Sequence, residues 1–551
     1  MMGSEPMTAK DAALTIPAAL AAVAREHPHD PALWVGAQKI DFARLDEESR
    51  RIATGLEALG IGAGDRVAVW LPNVPEWLTV FFALARLGAT TICVNSRFRE
   101  AELGDLLTRS EAKAVVLCPR HQGHDFLRDL AAVAPQAPRI QFAILVGEDV
   151  GAPMPEALTA VPLAALLEHP PMAASAARPE TPCIVFTTSG TTNRPKLVVH
   201  TQRSVVRHAR DVAAAFGFDR ADCRTLQVLP YCGTYGFVQA MAPLLAGRPS
   251  ALAENFEAEE VAALMRRHGV NMVAMTDQMI RRMYAAIDEP KPFPGVSVFV
   301  GTRASEIVGL SRERGFRVVG IYGSSEVQAL FSRGRNEDGI EQLAAGGGFP
   351  VASRAEVRVR DRSTGALLAA GQNGELEIKA PSMFAGYLGD AEATAAAFTP
   401  DGFFRTGDLG YLEEDGRFRY LVRLGEVLRL SGFLVNPGEI EGHLITHPAI
   451  EACQVVGVEA DNKTRAVAFY LGREASEDDL RAFCKSKIAS YKVPAIFVHL
   501  SDFPSVHSAN NKKVNRGKLR EMASDVLTAV KNSSPDTVNA NGMAGEVGGT
   551  R

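Results

Sequence analysis

The sequence predicts an α/β fold, parallel sheets layered with helices, in at least two domains. Three observations carry this expectation. Strand-like runs alternate with helical-period stretches at residues 65–71, 76–87 and 89–94, and strand-like runs return at 114–118 and 140–146. Several of these runs open directly into polar, glycine-containing segments, where ligands of α/β sheets are held. At 551 residues the chain exceeds what one hydrophobic core ordinarily holds.

Composition narrows the function. Hydrophobic residues make up 46% and charged residues 22%, as in soluble globular proteins, and the net charge is −5. No basic block points to nucleic acid. Cys93, Cys118, Cys183, Cys223, Cys232, Cys453 and Cys484 are scattered, odd in number and form no C-x-x-C pair. That argues against a disulfide framework or zinc site and for a reducing, cytoplasmic setting. No signal peptide is apparent, and no uncharged apolar run is long enough to span a membrane.

Taken in order, residues 1–15 read as loose. Residues 42–59 fit an amphipathic helix, with Phe42, Leu45, Ile52, Leu56 and Leu59 at helical spacing. A strand at 65–71 turns at Pro72-Asn73, and a helix over 76–87 ends at Gly88. Residues 147–180, rich in Ala, Pro and Glu, read as a surface connection. Cys183-Ile184-Val185-Phe186 is a short buried strand, and the apolar run resumes at Leu197. Between them, Thr187, Thr188, Ser189, Gly190, Thr191, Thr192, Asn193, Arg194, Pro195 and Lys196 gather hydroxyls, free N–H groups and two cations, which an anionic polyphosphate needs. A polar surface loop is the plain alternative. A Walker loop is excluded, because Lys196 follows Pro195 and precedes Leu197.

Further along, 204–216 is a helix and 226–230 a strand, followed by Gly233, Tyr235, Gly236 and an apolar helix. No acidic residue falls between Pro230 and Glu254, which disfavours an amino-acid substrate, whose amine wants a carboxylate. Strands at 298–300 and 318–321 run into Gly301-Thr302-Arg303 and Tyr322-Gly323-Ser324-Ser325-Glu326. Tyr322 can lie against an adenine, Ser325 can donate to phosphate, and Glu326 can hold Mg²⁺ through oxygen. The alternative there is a strand followed by a capped helix. Gly374-Glu375-Leu376 precedes a strand, which Gly386-Tyr387 closes. In Phe404-Arg405-Thr406-Gly407-Asp408-Leu409-Gly410, Asp408 reads either as a structural turn residue or as an acceptor for hydroxyls. Residues 452–456 and 467–471 suggest a second, smaller sheet, and 531–551 read as a disordered tail.

Several of these stretches together resemble the adenylate-forming superfamily of acyl-CoA synthetases, luciferases and peptide-synthetase adenylation domains. Residues 188–196 are similar to its T-S-G-T-T-G-x-P-K loop, with Asn193 for Gly. Residues 322–326 are similar to Y-G-x-T-E, with Ser325 for Thr, and residues 404–410 match W/F-R/K-T-G-D-L/I-G. Arg423 fits the G-R-x-K/D-D hinge, with Val422 and Gly425 departing from it. Ser431-Gly432-Phe433 and residues 435–441 resemble the start of the superfamily's C-terminal domain. Counting back from Leu519-Arg520 places its catalytic lysine at Lys513, with Lys512 one position away as the alternative.

The resemblance implies a large N-terminal domain of layered α/β sheets (1–422), a hinge (423–426), and a small mobile α+β C-terminal domain (427–530). It implies that a carboxylic acid and Mg·ATP give an acyl-adenylate and pyrophosphate, and that CoA then takes the acyl group. Lys513, Glu326 and Lys196 become the catalytic residues, with Glu326 on Mg²⁺. Thr188, Ser189, Gly190, Thr191, Thr192, Lys196, Thr302, Tyr322, Gly323, Ser325, Asp408, Arg423 and Lys513 become nucleotide ligands, with Asp408 on the ribose. Tyr235, Gly236, Gly301, Gly323 and Val327 become walls of an acyl pocket. Being apolar or small, they favour an uncharged medium-length, alicyclic or aryl acid. Gly432 lines the path of CoA, and Gly425 is the hinge. Gly233 stands where relatives carry a gating ring. A monomer or homodimer is expected. Three other functions remain open: loading a carrier-protein thiol, although no carrier segment follows within these residues; a luciferase-type oxygenase; and a non-catalytic nucleotide-binding homologue.

Overall fold

The computed structural model describes residues 14–147, 158–188, 195–301, 305–430, 433–435, 437–460, 463–485, 488, 492–507 and 512–533. They form two compact units, the first running to Leu421 and the second starting at Val422.

The first unit holds two large sheets. In the eight-stranded sheet, Arg66–Trp70 lies between Thr90–Cys93 and Ala114–Leu117, all parallel. Pro182–Thr187 joins Thr90–Cys93 in parallel and then folds back as an antiparallel hairpin onto Leu197–Thr201. The nine-stranded sheet is parallel through Thr225–Gln227, Met272–Ala274, Ser297–Val300 and Arg317–Ser324. The helices Phe42–Ala58, Pro75–Leu87, Gln202–Phe216 and Thr234–Leu245 contribute to one core with residues of both sheets. The helix Pro75–Leu87 explains itself by its sequence. It is apolar almost all round, and every residue from Trp77 to Leu87 is buried. A helix without a polar face has no solvent side and belongs in the middle layer. Asp41 starts the neighbouring helix by accepting from the Arg44 N–H, while Gly88 ends Pro75–Leu87 in a left-handed turn. The outer faces of the two sheets are covered by Glu100–Ser110 with Phe126–Val133, and by Ala258–His268 with Asp277–Ala286.

A four-stranded antiparallel sheet follows: Glu356–Arg360, Gly374–Lys379, Phe404–Leu412 and Phe418–Arg423. Its apolar face packs with Val198, Tyr322, Phe331 and Tyr387, and so joins the ends of both large sheets. In the second unit, Ile450–Ala460, Lys463–Gly472 and Ile496–His499 make a three-stranded sheet carrying the helices Pro437–Leu444, Glu477–Lys485 and Arg516–Ser533.

Two sequence expectations are corrected, on residues 147–180 and on the start of the tail, and two alternative readings are set aside. Part of 147–180 is built into the fold, as the edge strand Thr159–Pro162 and the helix Leu163–Leu167, which buries Leu163 and Leu166. The Leu166 side chain sits where any Cβ on Gly55 would stand, so this short helix is pressed hard onto Phe42–Ala58. Tyr322-Gly323-Ser324 does not open a capped helix. It continues the strand Arg317–Ser324, which turns back antiparallel into Gln328–Arg333. Asp408 lies within the strand Phe404–Leu412 rather than in a turn, with a local irregularity at Gly407, whose φ is +69°. The final helix runs to Ser533, into the segment read as tail.

Candidate active site

The hairpin Pro182–Thr187/Leu197–Thr201 brings Thr188 and Lys196, the described ends of the hydroxyl-rich stretch, side by side. Its neck is closed twice: the Thr188 N–H donates to the Lys196 carbonyl at 2.9 Å, and the Lys196 N–H donates to Thr188 Oγ1 at 3.0 Å. Arg109 adds a third tie, donating to the Pro195 carbonyl at 2.8 Å while paired with Asp105. Ser189, Gly190, Thr191 and Thr192 lie outside the described residues, as do Thr302 and Gly432. The neck fixes where Lys196 leaves the sheet. Its ammonium stands 4.4 Å from the centre of the Tyr387 ring, within cation–π range.

The Tyr387 hydroxyl in turn donates to Glu326 Oε1 at 3.1 Å. Glu326 sits in the turn between Arg317–Ser324 and Gln328–Arg333 and is largely buried. This turn is held from several sides. The Glu326 carbonyl accepts from the Phe384 N–H at 2.8 Å, and Gln328, itself at φ +65°, donates to the carbonyls of Ser204 and Ser382. Two fully buried histidines complete the clamp. His200 Nε2 reaches the Ser325 carbonyl and His208 Nε2 the Ala329 carbonyl, each at 2.7 Å. Burial holds both imidazoles near pKa about 4, hence neutral, with Nε2–H as the donor.

That clamp carries a pH dependence. The folded pKa lies below the ordinary 6.5, so the unfolded chain takes up protons that the folded chain refuses. The stabilisation is complete above about pH 6.5 and is lost as the pH falls toward 4. Thermal midpoints should drop over this window. They should drop less steeply in His208→Asn than in the native protein, and equal slopes would contradict the assignment.

Around the nucleotide candidates, the structure joins residues that are far apart in sequence. The Tyr322 hydroxyl donates to Asp408 Oδ2 at 2.5 Å, and both side chains are buried. Tyr322 is flanked edge-on by Phe331 and Phe418 and lies near Tyr420. Asp408 is set by its own strand: its N–H donates to Thr406 Oγ1, and that hydroxyl donates to the Leu376 carbonyl. Gly323 is required by packing, since a Cβ there would lie 2.6 Å from the Ala329 Cα. Arg423 ends Phe418–Arg423 and is partly exposed, and Ser325 is partly exposed beside Glu326.

The expected acyl-pocket residues divide. Tyr235 donates to the Phe299 carbonyl at 2.6 Å, which ties the start of Thr234–Leu245 to the strand that ends beside Gly301. Gly301 is exposed, with open space beyond Ile321. Gly236 faces backbone: a Cβ would lie 2.3 Å from the Pro230 carbonyl oxygen. Val327 has no exposed surface and packs with Tyr322, Phe331 and Phe418, so it belongs to the core rather than a cavity wall.

Lys513 lies on Lys512–Val514, opposite Val506 in an antiparallel hairpin of the second unit. Gly425 is exposed in the short 3₁₀ turn Leu424–Glu426, and its carbonyl accepts from Arg520 at 2.9 Å.

A divalent cation fits Glu326 on chemistry. It is a buried carboxylate whose recorded side-chain hydrogen bond, among the described residues, comes from a neutral phenol that leaves its charge intact. Mg²⁺ is commonly bound through one or two carboxylates plus substrate phosphates, so a single carboxylate can serve. Sequence reasoning missed Tyr387, His200, His208 and Arg109 as site residues. Tyr387 was visible only as a strand end.

Comparison with known proteins settles the family. Residues 20–388 match the AMP-binding enzyme family and residues 439–510 the AMP-binding enzyme C-terminal domain. The 2-succinylbenzoate–CoA ligase of Geobacillus kaustophilus is 30% identical over 486 residues, covering 87% of this chain and 92% of the relative. The sulfoacetate–CoA ligase of Cupriavidus necator is 29% identical over 518 residues, covering 92% and 97%. An anthranilate CoA ligase solved with anthranoyl-AMP shares the fold at a TM-score of 0.80 and 22% identity, covering 95% of this chain and all of that one. The chain belongs to the AMP-binding enzyme family, the adenylate-forming superfamily.

Proposed function

We propose that this enzyme is an AMP-forming carboxylate–CoA ligase, turning an acid, ATP and CoA into acyl-CoA, AMP and pyrophosphate. One observation carries the reading. A cation and a carboxylate, Lys196 and Glu326, meet on one tyrosine at the neck of a hydroxyl-rich loop, where a polyphosphate and its metal would be gripped. The names of the relatives support the reaction class.

In the first step an oxygen of the acid attacks the α-phosphorus and the bond to the β-phosphate breaks, releasing pyrophosphate with the electron pair. Lys196 faces the phosphates, and Lys513 neutralises charge that develops as pyrophosphate leaves. Glu326 would hold Mg²⁺, which supplies charge neutralisation on the phosphates. Asp408, set by Tyr322, accepts from the ribose hydroxyls. In the second step the CoA sulfur attacks the acyl carbon and AMP departs. Burial pushes all seven cysteine thiols up, which disfavours an enzyme-bound thiolate as acyl carrier. Gly425 serves as the hinge between the two steps, and Gly432 lines the thiol's path.

The acid is an uncharged medium-length, alicyclic or aryl one. Tyr235 and Gly301 carry that assignment, because Gly236, Gly323 and Val327 are committed to packing. A cytoplasmic setting fits free cysteines. Among the described residues no helix is long and apolar enough to cross a membrane. The test is pyrophosphate release over a panel of acids, with and without CoA. Acid-dependent release followed by CoA-dependent thioester is expected. Thioester forming only on an added carrier protein, or no release with any acid, would overturn the reading.

A further inference from the structure

Tyr387 touches both charged groups of the site by different parts of one side chain. Its ring lies beneath the Lys196 ammonium, and its hydroxyl holds Glu326 Oε1. The backbone leaves it little freedom. Tyr387 pairs with Val198, the Leu388 N–H donates to the Leu197 carbonyl, and the Tyr387 N–H donates to Thr394 Oγ1. The Phe384 ring packs 4.9 Å away, while its N–H holds the Glu326 carbonyl. The same short segment, residues 384–388, therefore fixes the tyrosine and the backbone of the glutamate it touches.

A partly exposed ammonium and a largely buried carboxylate brought to one ring attract each other, and the pair they form competes with any ligand each would bind. A tyrosine between them prevents this. The ring face holds the cation without a counter-charge, and the phenol orients the carboxylate without cancelling its charge. An arginine or lysine in place of the phenol would cancel that charge.

We propose that Tyr387 is a positioning residue that keeps Lys196 and Glu326 apart and aimed, the one for the phosphates and the other for the divalent cation. This rests on the reading of the site given above.

The test is direct binding. Mn²⁺ affinity is measured by electron paramagnetic resonance with a non-hydrolysable ATP analogue present, and analogue affinity by calorimetry without metal. Tyr387→Phe keeps the ring and loses the hydroxyl. It should weaken Mn²⁺ binding about 10-fold, as loss of a ligand-orienting partner does, and leave metal-free nucleotide affinity unchanged. Tyr387→Leu loses the ring as well and should weaken both. In a Glu326→Gln background the Tyr387→Phe change should cost nothing further in Mn²⁺ affinity. A merely structural tyrosine would lower the thermal midpoint and disturb both affinities in every variant alike. Native-like Mn²⁺ affinity in Tyr387→Phe, or full additivity with Glu326→Gln, would overturn the proposal. Failure of the native protein to bind Mn²⁺ with the analogue would instead overturn the reading of the site.

Discussion

Lys513→Ala is expected to slow acyl-adenylate formation on the order of 10²–10³-fold, the usual cost of removing one charge-stabilising group. Thioester formation from supplied acyl-adenylate should stay near the native rate, because no pyrophosphate leaves in that step. The strand Lys512–Val514 leads into Arg516–Ser533, and Arg516 donates to Glu441 at 2.6 Å with Glu426 nearby at 3.9 Å. Glu441 also accepts from the Val455 N–H at 2.8 Å, so the helix start is locked to the sheet of the second unit. Burial pushes the Glu441 carboxyl up and Arg516 opposes the shift. Successive strand positions alternate between faces, so only one of the two adjacent lysines should give the phenotype. If Lys512→Ala gives it and Lys513→Ala does not, the catalytic lysine is Lys512.

Asp408→Ala should raise the KM for ATP by roughly 10–100-fold, the equivalent of losing charged hydrogen bonds of about 1.5–3 kcal/mol. Both half-reactions should suffer, because the ribose is held throughout. The substitution also strips the Tyr322 hydroxyl of its buried acceptor and should lower stability. Asp408→Asn separates the two effects, since an amide oxygen still accepts from Tyr322 while the second position no longer accepts from a hydroxyl. Unchanged nucleotide affinity by calorimetry in both variants would remove Asp408 from the ribose.

The layered fold was legible because its elements follow local rules. The helix Pro75–Leu87 is apolar almost all round and ends at glycine, and the alternation of strands with helices pointed to the parallel order. Thr159–Pro162 was not legible, since an edge strand with exposed positions carries little periodicity. The hydroxyl-rich stretch 187–196, the Tyr322 segment and the Asp408 segment stood out because their residue types are the ones that suit phosphate, metal and ribose. What joins them was hidden. Tyr322 and Asp408 are 86 positions apart, Tyr387 and Glu326 are 61 apart, and His200 and Ser325 are 125 apart. No local pattern marks a buried histidine that donates to a distant carbonyl. Gly323 and Gly236 were read as room for a ligand, yet their missing side chains make room for backbone. Gly425 is the reverse case. A Cβ there would meet nothing within 4 Å, so this conformation does not require glycine, and the proposed hinge is what would call for one.

In the proposed reaction the acid is activated by forming a bond to the α-phosphorus of ATP. The most direct measurement uses an acid chosen from the panel, with both carboxylate oxygens replaced by ¹⁸O, in a complete reaction with CoA. Mass spectrometry of the products should find one ¹⁸O in AMP and none in pyrophosphate. Label in a phosphate product, ADP in place of AMP, or unlabelled AMP would contradict it.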